Sequence, residues 1–249
     1  MEITVLGGGT CVPVAGYSPP GYVLRIGASI TLIDPGPGSL GRMAEYAIDY
    51  RRVGHVLVSH LHPDHTLDIL TLIQALGAAP GFERQEDLTL IGCAGLTVFV
   101  ERLLVTYEDI APETFQVQIR EFGGNVIQFA AVTARAARTL HTAESLAFRL
   151  ESDEGSLVFS GDVADPDRLI ELCDDADVLI CECSFPEGEG VSDHLTAGQA
   201  GRLAQAASVR RLILTHLYPP AIEADVVSQA KAHYDGPVVK AHDGLVVQI

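Results

Sequence analysis

Short apolar runs that predict buried strands alternate along the chain with longer stretches of helical spacing, and this alternation limits the fold most. Residues 3–6, 22–26 and 29–33 form an early cluster of predicted strands, and residues 55–58 and 157–159 predict two later ones. Strands that alternate with helices after such a cluster are typical of α/β proteins with mixed sheets. We therefore expect an α/β fold.

Local signals predict where helices begin and end. Thr66 is a candidate N-cap for a helix that stops at Gly77. Residues 196–199, Thr-Ala-Gly-Gln, have the capping-box pattern that opens another helix. Since the sequence has no linker-like run and no internal repeat, we expect a single domain over residues 1–249.

The acidic composition argues against a polyanionic partner. The 249 residues include 16 Lys and Arg against 33 Asp and Glu, which gives a formal net charge of −17. Because nucleic-acid affinity comes mostly from basic groups that neutralise phosphates, we do not expect a large nucleic acid to bind. An excess of carboxylates suits divalent cations instead.

The sequence also predicts a cytoplasmic protein with no membrane span. The longest uncharged run, residues 3–24, is interrupted by glycines and prolines and so cannot form a spanning helix. Only Met1 and Glu2 precede this run, so the basic segment of a signal peptide is missing. We interpret the five cysteines as reduced thiols, with redox or metal use of the close pair Cys181 and Cys183 as the alternative.

Residues 59–65, Ser-His-Leu-His-Pro-Asp-His, place three imidazoles and a carboxylate in one short stretch. Residues two apart in a strand face the same way, so His60 and His62 are expected to converge on one ion. The proline that follows turns the chain, so that Asp64 and His65 face a second ion. Imidazole and carboxylate together suit Zn²⁺, Mn²⁺ or Fe²⁺ better than Ca²⁺ or Mg²⁺. The alternative is a polar surface loop.

Further candidate ligands lie at the ends of predicted strands. Asp162 and His216 each follow a strand directly, and Glu182 ends another. The loops at the carboxyl ends of strands build the site in α/β folds, so we expect these side chains to share one crevice with His60. His141 is an additional candidate because the cluster still needs ligands.

Together these motifs resemble those of the metallo-β-lactamase fold superfamily. The segment 32–36, Leu-Ile-Asp-Pro-Gly, matches its opening motif, and the ligand motifs follow at His60, His62, Asp64, His65, His141, Asp162 and His216. Within the superfamily the chain is similar to the ribonuclease Z-like phosphodiesterase branch, through residues 6–10, 179–185 and 194–196. The resemblance implies a four-layer αβ/βα sandwich of two mixed β-sheets, with the site at one edge of the sheets.

The resemblance further implies two divalent metal ions, Zn²⁺ with Mn²⁺ or Fe²⁺ as alternatives. One ion would be held by His60, His62 and His141, and the other by Asp64, His65 and His216. Asp162 and a water would bridge the ions, and Asp34 would orient the histidine rings from behind.

The same resemblance assigns three catalytic residues. A water shared by two cations loses its proton readily, so hydroxide is available near neutral pH, and Asp64 would accept that proton. His194 would donate a proton to the leaving alkoxide. Glu182 would hydrogen-bond to His194, fix its tautomer and raise its pKa.

One departure from ribonuclease Z determines the predicted substrate. The tRNA-processing members carry a long basic arm after the position of His141, whereas here residues 142–161, with four acids and Arg149 as their one basic residue, lead directly to Asp162. We therefore predict a dinuclear phosphodiesterase for small phosphodiesters, such as a cyclic nucleotide, a nucleotide ester or an aryl diester. The branch also leads us to expect a homodimer.

Other functions stay open on the sequence alone. A tRNA 3′-end processing endoribonuclease would share the site, and a lactonase or thioesterase would keep the ligands without needing His194. A sulfur dioxygenase-type relative would use one iron. A non-catalytic regulatory binding protein would be expected to have lost ligands, and none is missing from the motifs.

Overall fold

In the computed structural model, which describes residues 1–124 and 126–249, the chain forms two seven-stranded sheets with helices packed outside them. The strands are β1 (Glu2–Gly7), β2 (Gly21–Ile26), β3 (Ser29–Ile33), β4 (Val53–Val58), β5 (Leu88–Gly92), β6 (Val117–Glu121), β7 (Ile127–Phe129), β8 (Val132–Arg138), β9 (Leu146–Ser152), β10 (Gly155–Phe159), β11 (Val178–Glu182), β12 (Leu212–Thr215), β13 (Val238–Lys240) and β14 (Val246–Gln248). The helices are α1 (Ser39–Glu45), α2 (Pro63–Ala78), α3 (Leu96–Thr106), α4 (Ile170–Cys173), α5 (Ala197–Ala206), α6 (Pro219–Glu223) and α7 (Val226–Lys231).

Each sheet is partly antiparallel and partly parallel. The first has the order β14-β1-β2-β3-β4-β5-β6, antiparallel from β14 to β3 and parallel from β3 to β6. The second has the order β13-β12-β11-β10-β9-β8-β7, parallel from β13 to β10 and antiparallel from β10 to β7. The predicted α/β class with two mixed β-sheets is confirmed.

The apolar side chains form three layers that separate the four layers of backbone. Phe148, Phe159 and Ile180 belong to the layer between the two sheets. A second layer, which includes Leu72, lies between the first sheet and α1 to α3, and a third, which includes Leu203, lies between the second sheet and α4, α5 and α7. The arrangement is the αβ/βα sandwich that the sequence predicted.

Burial on both faces explains why the strands read as continuous apolar runs. Successive side chains of a strand point to opposite faces of the sheet. In β4, Val56 and Val58 face the helices while Leu57 faces the other sheet, and all three are fully buried. Strands covered on both sides lose the alternation of polar and apolar residues that marks a half-exposed sheet.

The start of α2 differs from the prediction. Thr66 is not the N-cap: the helix begins at Pro63, after His62, and the Thr66 hydroxyl donates to the His62 carbonyl at 2.9 Å within the first turn. Proline is favoured at a first helical position because the N–H that it lacks would be unpaired there. Gly77 lies inside the helix, which continues to Ala78.

The predicted strand geometry of the histidine motif is also wrong. Strand β4 ends at Val58, so His60 and His62 lie in the loop between β4 and α2 and not on one face of a strand. The loop is held by tertiary hydrogen bonds: the Ser59 N–H donates to Asp34 at 2.7 Å, and the Ser59 carbonyl accepts from the Leu146 N–H of β9 at 3.0 Å. By contrast, the capping box of α5 forms as predicted, since Thr196 accepts a hydrogen bond from the Gln199 backbone N–H at 3.3 Å.

The parallel halves of the two sheets bring their carboxyl ends to a common edge. Asp34 follows β3, Asp162 follows β10, and His216 follows β12. Ends of parallel strands are where α/β folds place their binding residues. Among the helices of the described residues, none has the length and apolar character needed to cross a bilayer.

Replacing Phe148 by Ala is expected to lower the free energy of unfolding by about 3–5 kcal/mol, because the ring is fully buried between the sheets and its loss leaves a cavity. Chemical denaturation measures the change. The control is Val105→Ala in α3, where the side chain is 79% exposed and the expected change is within about 0.5 kcal/mol. An equal decrease in the free energy of unfolding in both variants would contradict the burial of Phe148 between the two sheets.

Candidate metal centre

The seven predicted ligands meet at the common edge of the two sheets. They reach it from five separate parts of the chain: the loop after β4, the first turn of α2, and the segments that follow β8, β10 and β12. Two adjacent clusters of donor atoms contain all seven: the first ligand group is His60, His62, His141 and Asp162, and the second is Asp64, His65 and His216. His194 joins two further clusters, one with His141 and Asp193 and one with Asp162 and His216.

In the first group, the ring nitrogens face one oxygen of Asp162. His60 Nε2 lies 3.7 Å and His141 Nε2 lies 3.6 Å from Asp162 Oδ2. His62 Nδ1 lies 3.3 Å from His141 Nε2. All four side chains therefore offer an atom to one small space.

In the second group, the nitrogens face the other oxygen of the same carboxylate. His65 Nε2 and His216 Nε2 each lie 3.5 Å from Asp162 Oδ1. Each of these nitrogens also lies 3.7 Å from Asp64 Oδ2. Asp162 thus stands between the two spaces with one oxygen toward each, as a bridging ligand would.

The residues fit divalent ions in these two spaces. His60 Nε2, His65 Nε2, His216 Nε2 and Asp162 Oδ1 are buried and have no hydrogen-bond partner in the part of the chain that the structure describes. Buried polar atoms without partners are rare, and each costs about 1–3 kcal/mol. Two donor atoms bound to one tetrahedral zinc ion lie about 3.4 Å from each other. The facing donor atoms around each space lie 3.3–3.7 Å apart, close to that value.

The surroundings of His60 and Asp162 favour their metal-binding protonation states, whereas at His65 burial is outweighed by the charges of Asp162 and Asp34, which raise the pKa to about 9. Burial, with the neighbouring His65, lowers the pKa of His60, and a neutral imidazole is the form that binds a metal. Burial opposes ionisation of Asp162, but His216 and the other surrounding histidines outweigh it and hold the pKa well below its usual range. The cluster is therefore a carboxylate surrounded by imidazoles.

Asp34 orients two of the histidines from behind, as the resemblance implied. Its Oδ2 accepts from His65 Nδ1 at 2.8 Å and from the Ser59 hydroxyl at 2.5 Å. The Ser59 oxygen in turn lies 3.0 Å from His60 Nδ1. Because Nδ1 of each ring is engaged, Nε2 of each ring is left for a metal. The role of Ser59 was missed from the sequence, although it stands inside the histidine motif.

The opening motif ends in glycine because backbone atoms pack closely against Gly36. A β-carbon at this position would lie 1.9 Å from the Asp64 carbonyl oxygen and 2.6 Å from that of Pro20. No side chain fits into so short a distance from backbone atoms. Glycine therefore allows the loop after β3 to pack directly against the first turn of α2.

Beside the ligands, the buried carboxylate of Glu182 is paired with the half-buried His194. Glu182 Oε2 accepts from His194 Nδ1 at 3.1 Å, from the Ser184 hydroxyl at 2.6 Å and from the Leu195 N–H at 3.2 Å. Burial lowers the pKa of His194, but the hydrogen bond and charge of Glu182 outweigh it and raise that pKa to about 9. Divalent ions nearby would lower it again by charge repulsion.

His194 lies against ligands from both groups. Its ring centroid is 4.8 Å from that of His141 and 5.5 Å from that of His216. Ser184, which sequence reasoning did not single out as a functional residue, contacts His216 Nδ1 at 3.1 Å as well as Glu182. Its signal in the sequence was its place inside the segment 179–185.

The cysteines near this edge do not form part of either ligand group in the described residues. Cys181 and Cys183 are free and fully buried in the apolar layer that faces α5. Burial raises the pKa of both thiols, so they stay protonated. This environment supports packing rather than the redox or metal alternative.

A family model for the Beta-lactamase superfamily domain matches residues 30–217. An uncharacterized protein of Mycobacterium leprae is 35% identical over 250 aligned positions, which cover 96% of this chain and 85% of that protein. The ribonuclease Z of Haloferax volcanii is 25% identical over 307 aligned positions, which cover 100% of this chain and 95% of the relative. That alignment is longer than this chain, so the archaeal protein has segments without a counterpart here.

Solved structures share the fold. The metallo-beta-lactamase fold protein YhfI of Bacillus subtilis superposes with a TM-score of 0.85 at 25% identity, covering 99% of this chain and 98% of that one. The short form of human tRNase Z superposes with a TM-score of 0.81 at 22% identity, covering 100% and 99% of the two chains.

Replacing Asp162 by Ala is expected to remove at least one bound ion and nearly all turnover, because the two ligand groups lose the carboxylate that they share. Elemental analysis of the purified protein measures the metal content. The control is Asp49→Ala, a half-buried acid away from the site and paired with Arg51, which should leave metal content unchanged. Unchanged metal content and activity in the Asp162 variant would show that Asp162 is not a bridging ligand.

Proposed function

Because the chain belongs to the metallo-β-lactamase superfamily and is a metallo-hydrolase, we propose that it is a dinuclear phosphodiesterase for small phosphodiesters. The observation that supports this most is the His194–Glu182 pair beside the two ligand groups. Hydrolysis of an alkyl phosphodiester expels a poorly acidic alcohol and so needs a proton donor, whereas a thioesterase expels a thiolate that leaves without one.

The proposal assigns a metal-holding role to each of the seven ligands. His60, His62 and His141 would hold one ion, Asp64, His65 and His216 the other, and Asp162 both, with zinc as the first expectation and manganese or iron as alternatives. When bound, the ions would supply hydroxide at neutral pH and polarise the phosphoryl group whose phosphorus the hydroxide attacks.

The remaining steps belong to side chains. Asp64 would accept the proton of the attacking water, since its carboxylate lies inside the second ligand group, 3.7 Å from His65 Nε2 and from His216 Nε2. Glu182 holds His194 by Nδ1, which leaves Nε2 to carry the proton that the leaving alkoxide needs. Against the effect of burial, the hydrogen bond and charge of Glu182 raise the pKa of His194 and so favour the protonated ring.

The region that carries the arm in ribonuclease Z supports a small substrate. Between His141 and Asp162 the structure has only the hairpin of β9 and β10, and its turn consists of the two acids Asp153 and Glu154. Neither length nor positive charge is available here to hold a tRNA. The substrate would be a cyclic nucleotide, a nucleotide ester or an aryl diester.

A second candidate is tRNA 3′-end processing, which the similarity to the ribonuclease Z of Haloferax volcanii favours. The two proposals share the centre and differ in what lies around it.

The five free cysteines fit a reducing compartment, and so we propose cytoplasmic function. The homodimer stays a prediction, which the native mass in solution would check.

At physiological salt, the metal-loaded protein is expected to hydrolyse bis-p-nitrophenyl phosphate and small cyclic phosphodiesters far better than precursor tRNA. The reason is the net charge of −17 together with the missing arm. Initial rates over a substrate series measure the difference. Efficient and specific cleavage of precursor tRNA would overturn the small-substrate proposal, and hydrolysis of lactones or thioesters alone would overturn the phosphodiesterase.

Replacing His194 by Ala is expected to leave the metal content unchanged and to slow hydrolysis by about 10²–10⁴-fold for diesters of poorly acidic alcohols. The loss should be smaller for p-nitrophenyl diesters, because p-nitrophenolate leaves readily as the anion. Rates for both substrate types measure the effect. His233→Ala, an exposed histidine beside Arg202, is the control. Equal losses for both leaving groups would rule out proton donation by His194.

A further inference from the structure

Phe185 and Tyr218 form an aromatic stack at the edge of the site. Neither residue belongs to the ligand groups or takes part in the proposed proton donation. Their rings are 5.2 Å apart at an interplanar angle of 11°. Both side chains are half-buried. In the described part of the chain, every other Phe and Tyr except the exposed Tyr107 belongs to an apolar layer or packs against one. The stack is therefore not explained by filling the core.

The stack lies on one particular side of the centre. Phe185 follows the Glu182 strand by three residues, and Tyr218 follows His216 by two. The ring centroids of Phe185 and Tyr218 are 6.4 Å and 5.7 Å from that of His194, and Tyr218 is 5.9 Å from His216. Both aromatic rings thus adjoin the proposed proton donor.

We propose that Phe185 and Tyr218 form a subsite that stacks a flat aromatic group carried by the leaving alcohol of the substrate, in biological substrates a nucleobase. The inference rests on the proposed function, since the group on the oxygen that His194 protonates must lie on the His194 side. A sugar between that oxygen and a base spans a distance comparable to these ring separations. Stacking of one base on an aromatic side chain typically increases affinity about 5- to 150-fold.

The orientation of Tyr218 indicates that its ring, and not its hydroxyl, makes the contact. The hydroxyl is directed to Cys11, with its oxygen 3.7 Å from Sγ. The ring is in edge contact with His194 and His216 and face to face with Phe185. Aromatic pairs prefer such offset or edge-on arrangements, and a third ring extends them. A phenylalanine at position 218 should therefore keep the subsite.

Calorimetry on the metal-loaded full chain tests the proposal without depending on turnover. The probes are two matched pairs: adenosine 5′-monophosphate with ribose 5-phosphate, and phenyl phosphate with cyclohexyl phosphate. In each pair the aromatic member should bind about tenfold more tightly. This preference should disappear in Tyr218→Ala and Phe185→Leu and persist in Tyr218→Phe. The exposed aromatic control, Tyr107→Ala, should keep it.

The outcomes separate this inference from the proposed function. Equal affinities within both pairs, or a preference that survives Tyr218→Ala and Phe185→Leu, would overturn the subsite. A preference for the nucleotide but not for phenyl phosphate would overturn stacking as its cause. Failure of the unmodified protein to hydrolyse any phosphodiester would instead overturn the proposed function, and the binding preference would still be measurable.

Discussion

The buried carboxylate of Asp162 is the feature on which the rest of the site depends. It is 3% exposed, and its two oxygens each face two imidazole nitrogens at 3.5–3.7 Å. A charge in such a position is costly unless it is paired or binds a metal. The facing nitrogens of His60, His65 and His216 have no hydrogen-bond partner in the described part of the chain, which costs free energy. The fold must therefore hold these side chains in place. The strands that deliver these residues, such as β4, β10 and β12, are themselves buried on both faces.

Three of the seven non-glycine residues with positive φ in the described part of the chain lie where the strands deliver these residues. Asp34, Leu140 and His216 all have positive φ, at 44°, 61° and 55°, although none is glycine. Such conformations cost of order 1–3 kcal/mol each and persist only where the surroundings impose them. All three stand just beyond the end of a strand, where the chain must turn sharply to direct a side chain to the common edge. The stability of the sandwich therefore maintains the geometry of the site.

The sequence was sufficient for the fold class and for gathering the ligands, and insufficient for local geometry. Apolar runs such as residues 55–58 predict strands because burial on both faces leaves no polar residues in them. Thr66 was a plausible N-cap, but Pro63 at the first helical position decided the start of α2. Spacing alone could not show that His60 and His62 converge from a loop, since only tertiary contacts hold that loop in place.

Among the partners behind the ligands, the resemblance predicted Asp34 and Glu182 but not the two serines that act with them, because each serine bridges distant parts of the chain. Asp34 accepts from the Ser59 hydroxyl, and the same oxygen lies beside His60 Nδ1. Glu182 accepts from the Ser184 hydroxyl, whose oxygen lies beside His216 Nδ1. In each case one carboxylate and one serine leave an imidazole Nε2 free to face the centre.

Asp34 and Glu182 each also accept a hydrogen bond directly from a histidine, and these two histidines differ in their place in the site. Asp34 holds His65, whose Nε2 faces Asp162, so this carboxylate serves the ligand cluster alone. Glu182 holds His194, which belongs to neither of the two ligand groups, so its arrangement leaves one imidazole free to carry a proton. Ser184 connects this imidazole to His216 through the Glu182 carboxylate, so a change in charge at one ring alters the hydrogen bond at the other. In the proposed mechanism, proton donation by His194 and metal binding by His216 would for this reason be coupled through a single buried acid.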